Sequence, residues 1–585
     1  MRLVELRLLD GPNVYRLEPT VKLEVVIGRR RTWYGQRDPG RHARVRLGAV
    51  VAARDQPTEV AALIAWVRRL RTEHGEGGAD VAAHRSSDPG HWIVSWPWTS
   101  AERARAIAEA AMTLADRDVS PSRRARLTGG QERSVARWTA RIAAATDQPP
   151  AWIRDVDRRI PVISISGTNG KSTTTRIVSH ILRTAGRRVG TTTSDGVLVN
   201  GRMVEPGDWT GPGGAAQILR RSDVDVAILE TARGGIVLKG LGYESNDASI
   251  LTNVSSDHLD LQGIHTLPEL AEVKATVCRV TKPDGWVILN ADDPLVAGVA
   301  RWVRAHVAFF SIAARPPVVL RRAVAAGGRG YVSDKGWLTA HEGGRAHRII
   351  EVADVPFTLG GLARHNVANA LAAIAGARAL GATLEQVRDG LRDFRPSTDR
   401  SPGRLNLFRL GSRIVIVDFA HNEAGVSAVL DVAEGIAAGG AGRTAPITII
   451  VGTAGDRPDD TIRGIGRIAA QRAQRVAIKE TLGYLRGRTR ESMIGELLAG
   501  IREGGGKAAD VPIYETETEA LRAELNGPGG IADGGRPGAP RVLVLMCHAE
   551  RERVFELLDS LGARSVDGPD EITRLVPRMH GRDRR

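Results

Sequence analysis

Only two cysteines occur in 585 residues, Cys278 and Cys547. They are too few and too far apart for a disulfide framework or a four-cysteine zinc site, so both are expected to be reduced, structural thiols. Long apolar runs are missing as well. No segment approaches the roughly eighteen consecutive apolar residues of a membrane-spanning helix. The opening Met1-Arg2-Leu3-Val4-Glu5-Leu6-Arg7 alternates charged and apolar residues and lacks the apolar stretch of a secretory signal. A cytoplasmic protein with no membrane partner is expected. Glycine and proline are dispersed rather than concentrated in low-complexity blocks, which argues against global disorder.

What is present is an ordinary globular composition, 42% hydrophobic and 25% charged. The length suggests roughly two to four domains. The net charge is +15, and residues 1–150 hold 25 Lys+Arg against 17 Asp+Glu, a surplus of +8. Such a field attracts polyanions, whether nucleic acid, acidic peptide or phosphate. Nearly all these positives are arginine, so genome-wide codon bias is the slightly better account of them.

Residues 1–150 mix strand-like runs (3–9, 23–27 and 45–52) with amphipathic helical stretches (59–71 and 101–115) and contain no catalytic motif. Residues 123–137, rich in arginine and carrying Gly129-Gly130, read as a loop-like connector. From Ile160 the pattern becomes short apolar strands alternating with helices, which predicts parallel βαβ units. The candidate strands are 161–165, 224–229, 248–252, 286–289, 413–417, 447–451, 475–478 and 542–546. Ligands of open parallel sheets bind just past the carboxyl ends of the strands, so polar clusters at those ends are the candidate sites.

The first such cluster is Gly167-Thr168-Asn169-Gly170-Lys171-Ser172-Thr173, between a strand and a helical repeat of Ile177, Val178, Ile181 and Leu182. Glycines admit backbone N–H groups to phosphate oxygens, the helix N-terminus adds positive dipole, Lys171 neutralises charge and Ser172 can ligate magnesium. The G-x-x-G-K-S spacing is shorter than the usual P-loop, and a glycine-rich turn before a helix is the bland alternative. Glu230 follows the second strand and can hold magnesium or simply cap a helix. Asn253 follows the next strand, then come Asp257 and His258. Lys274 lies in a helical stretch, where lysine usually faces solvent.

In order along the chain stand G-T-N-G-K-S-T, E-T-A-R-G-G, N-V-S-S-D-H-L-D, a downstream lysine, N-A-D-D-P from Asn290, H-N-V-A-N-A from His365 and D-F-A-H-N from Asp418. This series resembles the Mur ligase superfamily over roughly residues 155–560. The stretch from Thr191 to Asp293, and Gly11-Pro12-Asn13-Val14 in the N-terminal region, are most similar to the cyanophycin synthetase family. The resemblance implies an α/β chain in four parts. These are a basic N-terminal α+β domain (1–150), a central parallel-sheet ATP-binding domain (151–400), a Rossmann-like C-terminal domain (401–570) and a basic tail (571–585).

By the same resemblance, Lys171 binds the β- and γ-phosphates of ATP and Ser172 the first of two magnesium ions. Glu230 and His258 bear on magnesium near the transferred phosphoryl group. The lysine matching Lys274 is often carbamylated in the family and then supports the second magnesium. Asn366 and Asn369 contact adenine or order the helix beside it, Arg404 reaches the phosphates from the third domain, and Asp418 lies near the ribose with His421 alongside. Glu423 stands where the family motif continues with proline.

The implied reaction is phosphorylation of a substrate carboxylate followed by attack of an amino-acid amine. The family's ATP-grasp domain would lie before the phosphate loop, where only about twenty residues are available, against the 50 or more a domain needs. The expected partners are a carboxylate-bearing acceptor, such as an aspartyl peptide or polymer, and an amino acid. A substrate from cell-wall or folate-like chemistry, a plain ATPase and a nucleotide-sensing scaffold are the alternatives. Nucleic-acid binding by residues 1–150 rests on charge alone. Arg457 and His548 read equally as substrate contacts or structural groups, and homo-oligomerisation stays open.

Overall fold

Three sheets organise the computed structural model, which describes residues 1–27, 46–116, 129–257, 259–438, 445–527 and 541–576. The first sheet is antiparallel, with Arg2–Leu9, Thr20–Val26, His91–Pro97 and Ala82–Arg85 in that spatial order. Helices Thr58–Glu73 and Ala101–Asp116 pack on it around Trp66, Trp96, Leu63, Leu70 and Ile107.

Two expectations for this region are overturned. Val45 lies outside the described residues, and 46–52 form no strand. Leu47 instead buries itself in the core of the second sheet, and Gly48 packs so close that a Cβ there would meet the Val14 carbonyl at 2.4 Å. The expected connector is a helix, Gly129–Ala143. Its Trp138 and Ile142, four residues apart on one helix face, complete the N-terminal core, and Gly129-Gly130 merely begins it.

The second sheet runs in the order Arg345–Glu351, Trp337–Glu342, Arg329–Asp334, His306–Ser311, Thr281–Asn290, Asn246–Leu251, Val162–Ser166, Val226–Glu230, Val189–Thr192, Gly196–Val199, Arg202–Pro206. Neighbours are parallel from Arg329–Asp334 to Val189–Thr192 and antiparallel at both edges. The strand Val162–Ser166 is buried along its whole length. Its Ile163 and Ile165 face one core with helices Lys171–Thr184 and Arg364–Ala379, while Val162 faces a second core with helix Leu267–Lys274. Burial on both faces is why these strands read as apolar runs rather than alternations.

The third sheet has the order Ile513–Tyr514, Arg475–Lys479, Ile447–Val451, Arg541–Met546, Arg413–Asp418, Asn406–Leu410, Arg564–Ser565 and is parallel up to Arg413–Asp418. The expected α/β class holds. Among the described residues no helix is long and apolar enough to cross a membrane, and Cys278 and Cys547 are free, buried thiols.

Candidate active site

The strand Val162–Ser166 ends centrally in its sheet, between Asn246–Leu251 and Val226–Glu230. The loop that follows must turn at once into a helix, and two glycines permit it. Gly167 has φ +145°, and a Cβ there would meet Thr252 Oγ1 at 1.9 Å. Gly170, the N-cap of helix Lys171–Thr184, has φ +85°, and its Cβ would meet Asn369 Oδ1 at 2.3 Å.

The next strand end buttresses the loop. Asn253 Oδ1 accepts from the Asn169 amide (2.9 Å) while its Nδ2 donates to the Asn169 carbonyl (2.9 Å). Thr252 Oγ1 donates to that same carbonyl at 2.7 Å. The Thr168 amide donates to the Asn253 carbonyl at 2.8 Å. Thr173 is the third residue of helix Lys171–Thr184, whose first turn has no side-chain cap for its N–H groups. Gly170→Ala is therefore expected to weaken binding of a nonhydrolysable ATP analogue about tenfold, from the roughly 1–2 kcal/mol of a left-handed residue bearing a Cβ. Calorimetric titration measures it, and unchanged affinity would mean the loop does not hold the phosphates.

Charged groups from separate elements converge on this loop. Glu230, 3% exposed, accepts from Ser172 Oγ at 3.0 Å. Burial pushes its carboxyl up, and the nearby Lys171 and Arg404 oppose that shift. Lys171 is pushed down by burial and drawn up by Glu230; its Nζ donates to the Thr168 carbonyl at 2.8 Å. Lys274 does not face solvent. It is 5% exposed and donates to the Gly167 carbonyl at 2.7 Å. Burial, reinforced by the like charge of Lys171, holds it well below the ordinary lysine range. His258 lies outside the described residues.

Asn366 and Asn369 sit at the start of helix Arg364–Ala379. Asn366 Nδ2 donates to the Phe357 carbonyl (2.8 Å), and Asn369 donates to Asn366 Oδ1 (3.1 Å) while accepting from Thr174 (3.4 Å). They order the helix against the loop.

The third sheet closes the site. Arg404 places Nη2 3.4 Å from Ser172 Oγ and lies over the Phe419 ring, 4.4 Å from its centroid. Its Nε is buried without a hydrogen-bond partner. Asp418 holds the Arg404 segment from behind, accepting from the amides of Leu405 and Ala420 at 2.7 Å each. Asn169 and Asn422 exchange amide hydrogen bonds of 3.2 and 3.1 Å across the two sheets. Asn422 thus keeps its place although Glu423 follows it.

Asp257 meets His421 Nε2 and Arg457 Nη2, both at 3.4 Å, and Arg457 also pairs with Asp456, so it is engaged in ion pairs. His548 belongs to a buried network: its Nδ1 accepts from Lys479 (2.9 Å), its Nε2 donates to the Ala420 carbonyl (2.8 Å), and Lys479 pairs with Glu517. His548 therefore supports the Asp418–Asn422 loop.

Sequence reasoning missed Asp195, bridged by Arg176 from the phosphate-loop helix and by Arg551 Nη1 (2.6 Å) from the third sheet's side. Arg551 is 356 residues away in sequence, and no local pattern marks it.

Ser172 Oγ and the Glu230 carboxylate supply hard oxygen donors side by side, the donor chemistry that suits magnesium. The loop, the two lysines and Arg404 together gather hydrogen-bond donors and cationic groups at one strand end.

Residues 165–377 match the Mur ligase middle domain. The chain is 42% identical over 359 residues to a cyanophycin synthetase of Synechocystis sp., covering 61% of this chain and 40% of that protein. It is 40% identical over 368 residues to the cyanophycin synthetase of Crocosphaera subtropica, covering 63% and 41%. It is 28% identical over 460 residues to the UDP-N-acetylmuramyl-tripeptide synthetase of Deinococcus radiodurans, covering 75% and 81%. The chain spans about two fifths of the length of these two cyanophycin synthetases.

Proposed function

We propose that this chain, which carries a Mur ligase middle domain at residues 165–377, is an ATP-dependent ligase. It joins a substrate carboxylate to the amine of an amino acid through an acyl phosphate. The observation that carries this reading is the convergence of Lys171, Ser172, Glu230, Lys274 and Arg404, from four elements of two sheets, on one strand-end loop. A site that only bound nucleotide would not need an arginine delivered from a second sheet.

Carboxylates do not react with amines at neutral pH without activation. An acceptor carboxylate oxygen attacks the γ-phosphorus, the bond to the β,γ-bridging oxygen breaks and ADP leaves. The amine then attacks the acyl carbon, the carbon–oxygen bond to phosphate breaks, and the nitrogen loses a proton as the amide forms. Lys171 and the N–H groups at the start of helix Lys171–Thr184 orient the phosphates. Arg404 stabilises charge on the transferring group, and closure of the third sheet over the loop keeps water from the acyl phosphate. Magnesium, held by Ser172 and Glu230 with His258 as a further ligand, would neutralise the phosphate oxygens.

Lys274 has the properties a carbamate needs. Burial holds its amine well below the ordinary lysine range, and the amine in its neutral form can add carbon dioxide, losing one proton and keeping one N–H for the Gly167 carbonyl. The carbamate oxygens would supply a second magnesium site. Asn366, Asn369 and Asp418 belong to the nucleotide side of the site, Asp418 by holding the Arg404 segment in place.

The acceptor we favour is an aspartyl peptide, by likeness to the cyanophycin synthetases and in keeping with the surplus of arginine. The test is phosphate release from ATP across a panel of carboxylate acceptors and amino acids. A sharp rise with one acceptor and one amino acid together is expected, and release indifferent to every acceptor would reduce the chain to an ATPase.

A further inference from the structure

The N-terminal sheet reaches the rim of the site through one of its turns. The turn between Ala82–Arg85 and His91–Pro97 lies against the segment that leads into helix Leu267–Lys274. Asp88 Oδ1 in that turn is 3.0 Å from His265 Nε2, and His265 Nδ1 is 2.7 Å from Asp260 Oδ1. The imidazole bridges two carboxylates, and the hydrogen bond to Asp88 above all raises it to about 9, so it is cationic at neutral pH.

Beside it, Ser87 donates to Glu269 Oε1, while Glu269 Oε2 accepts from the His265 and Thr266 amides at 2.8 and 2.9 Å, closing the capping box of the helix. The far end of that helix is Lys274, bonded to the Gly167 carbonyl. The gripped segment is also a strained one: Asp260 and Gln262 have φ of +60° and +53° without being glycine. Such conformations persist only where neighbouring structure holds them. The N-terminal sheet has a firm footing from which to hold it. The Asp10 amide donates to the Lys239 carbonyl (2.7 Å) and the Leu241 amide to the Pro12 carbonyl (2.8 Å). Gly11 is packed so that a Cβ would meet the Leu241 carbonyl at 1.9 Å.

We propose that the N-terminal sheet serves the ligase site through His265, a positioning residue that ties Asp88 to Asp260 and so fixes the segment 259–274 on which Lys274 is presented. The inference rests on the ligase reading for its catalytic consequence but not for its structural one. His265 and both carboxylates are partly exposed, so the bridge adds little to global stability. Its effect is local order.

Hydrogen exchange of the full-length protein tests this with His265→Ala, Asp88→Asn and the double variant. Each single change is expected to speed exchange across 259–274 about fivefold, with the melting temperature nearly unchanged. The double variant should be no worse than His265→Ala alone, since Asp88 acts through His265. In turnover, kcat should fall about tenfold with KM for ATP nearly constant. Unchanged exchange in 259–274, additive effects, or loosening spread evenly over the N-terminal sheet would each overturn the proposal. A wild-type protein without acceptor-dependent turnover would overturn the ligase reading instead, while the exchange arm still decides this one.

Discussion

Replacing Lys274 by alanine is expected to lower acceptor-dependent turnover by at least about a hundredfold, the scale of removing one preorganised electrostatic group. The side chain is buried and its only described partner is the Gly167 carbonyl at 2.7 Å. That carbonyl belongs to a residue at φ +145° packed against Thr252, so the loop stays in place through Thr252 and Asn253 even when Lys274 is gone. ATP affinity should accordingly fall far less than kcat. Lys274→Arg separates two accounts of the loss. Arginine supplies donors and a permanent positive charge, so it cannot form a carbamate. If a carbamate is the working form, arginine is as inactive as alanine, and labelled bicarbonate gives a carbamate signal in wild type that both variants lack. Substantial activity in Lys274→Arg would show that charge and hydrogen bonding suffice.

Arg404→Ala is expected to cost about a thousandfold in kcat, the lower range for an arginine that stabilises phosphoryl transfer. Arg404 comes from the third sheet, stacks on Phe419 and reaches Ser172 Oγ at 3.4 Å with Nε left unsatisfied in a buried setting. A buried donor without a partner, on a guanidinium that reaches the phosphate-loop serine, is free to meet charge that develops beside it. Because the phosphate loop is held mainly by Thr252 and Asn253 of the second sheet, KM for ATP should change by only a few-fold. The conservative variant Arg404→Lys keeps the charge but loses the planar guanidinium that stacks on Phe419, so it is expected to recover little. Steady-state measurement of kcat and KM on the three proteins checks both points.

Much of this was legible in the sequence. The strand, glycine loop and helix at 161–185 announced themselves because a parallel strand buried on both faces reads as an apolar run and a phosphate loop needs glycine at fixed places. The burial of Lys274 was not legible, since helical lysines ordinarily face solvent and only the fold brings the Gly167 carbonyl above it. The helix Gly129–Ala143 carried its signal in Val135, Trp138 and Ile142, but the surrounding arginines and paired glycines masked it. The antiparallel edge strands Trp337–Glu342 and Arg345–Glu351 were likewise marked by the turn Gly343-Gly344. Contacts such as Arg551 with Asp195, or Asp88 with His265, 177 residues apart, leave no local trace. They arise from how sheets dock, which periodicity does not encode.

The central claim is that a carboxylate oxygen of the acceptor attacks ATP. The most direct measurement uses the acceptor with heavy oxygen in its carboxylate and reads the released inorganic phosphate by mass spectrometry. One labelled oxygen transferred to phosphate for each amide formed is the predicted result; phosphate carrying oxygen from water alone would contradict the acyl-phosphate account.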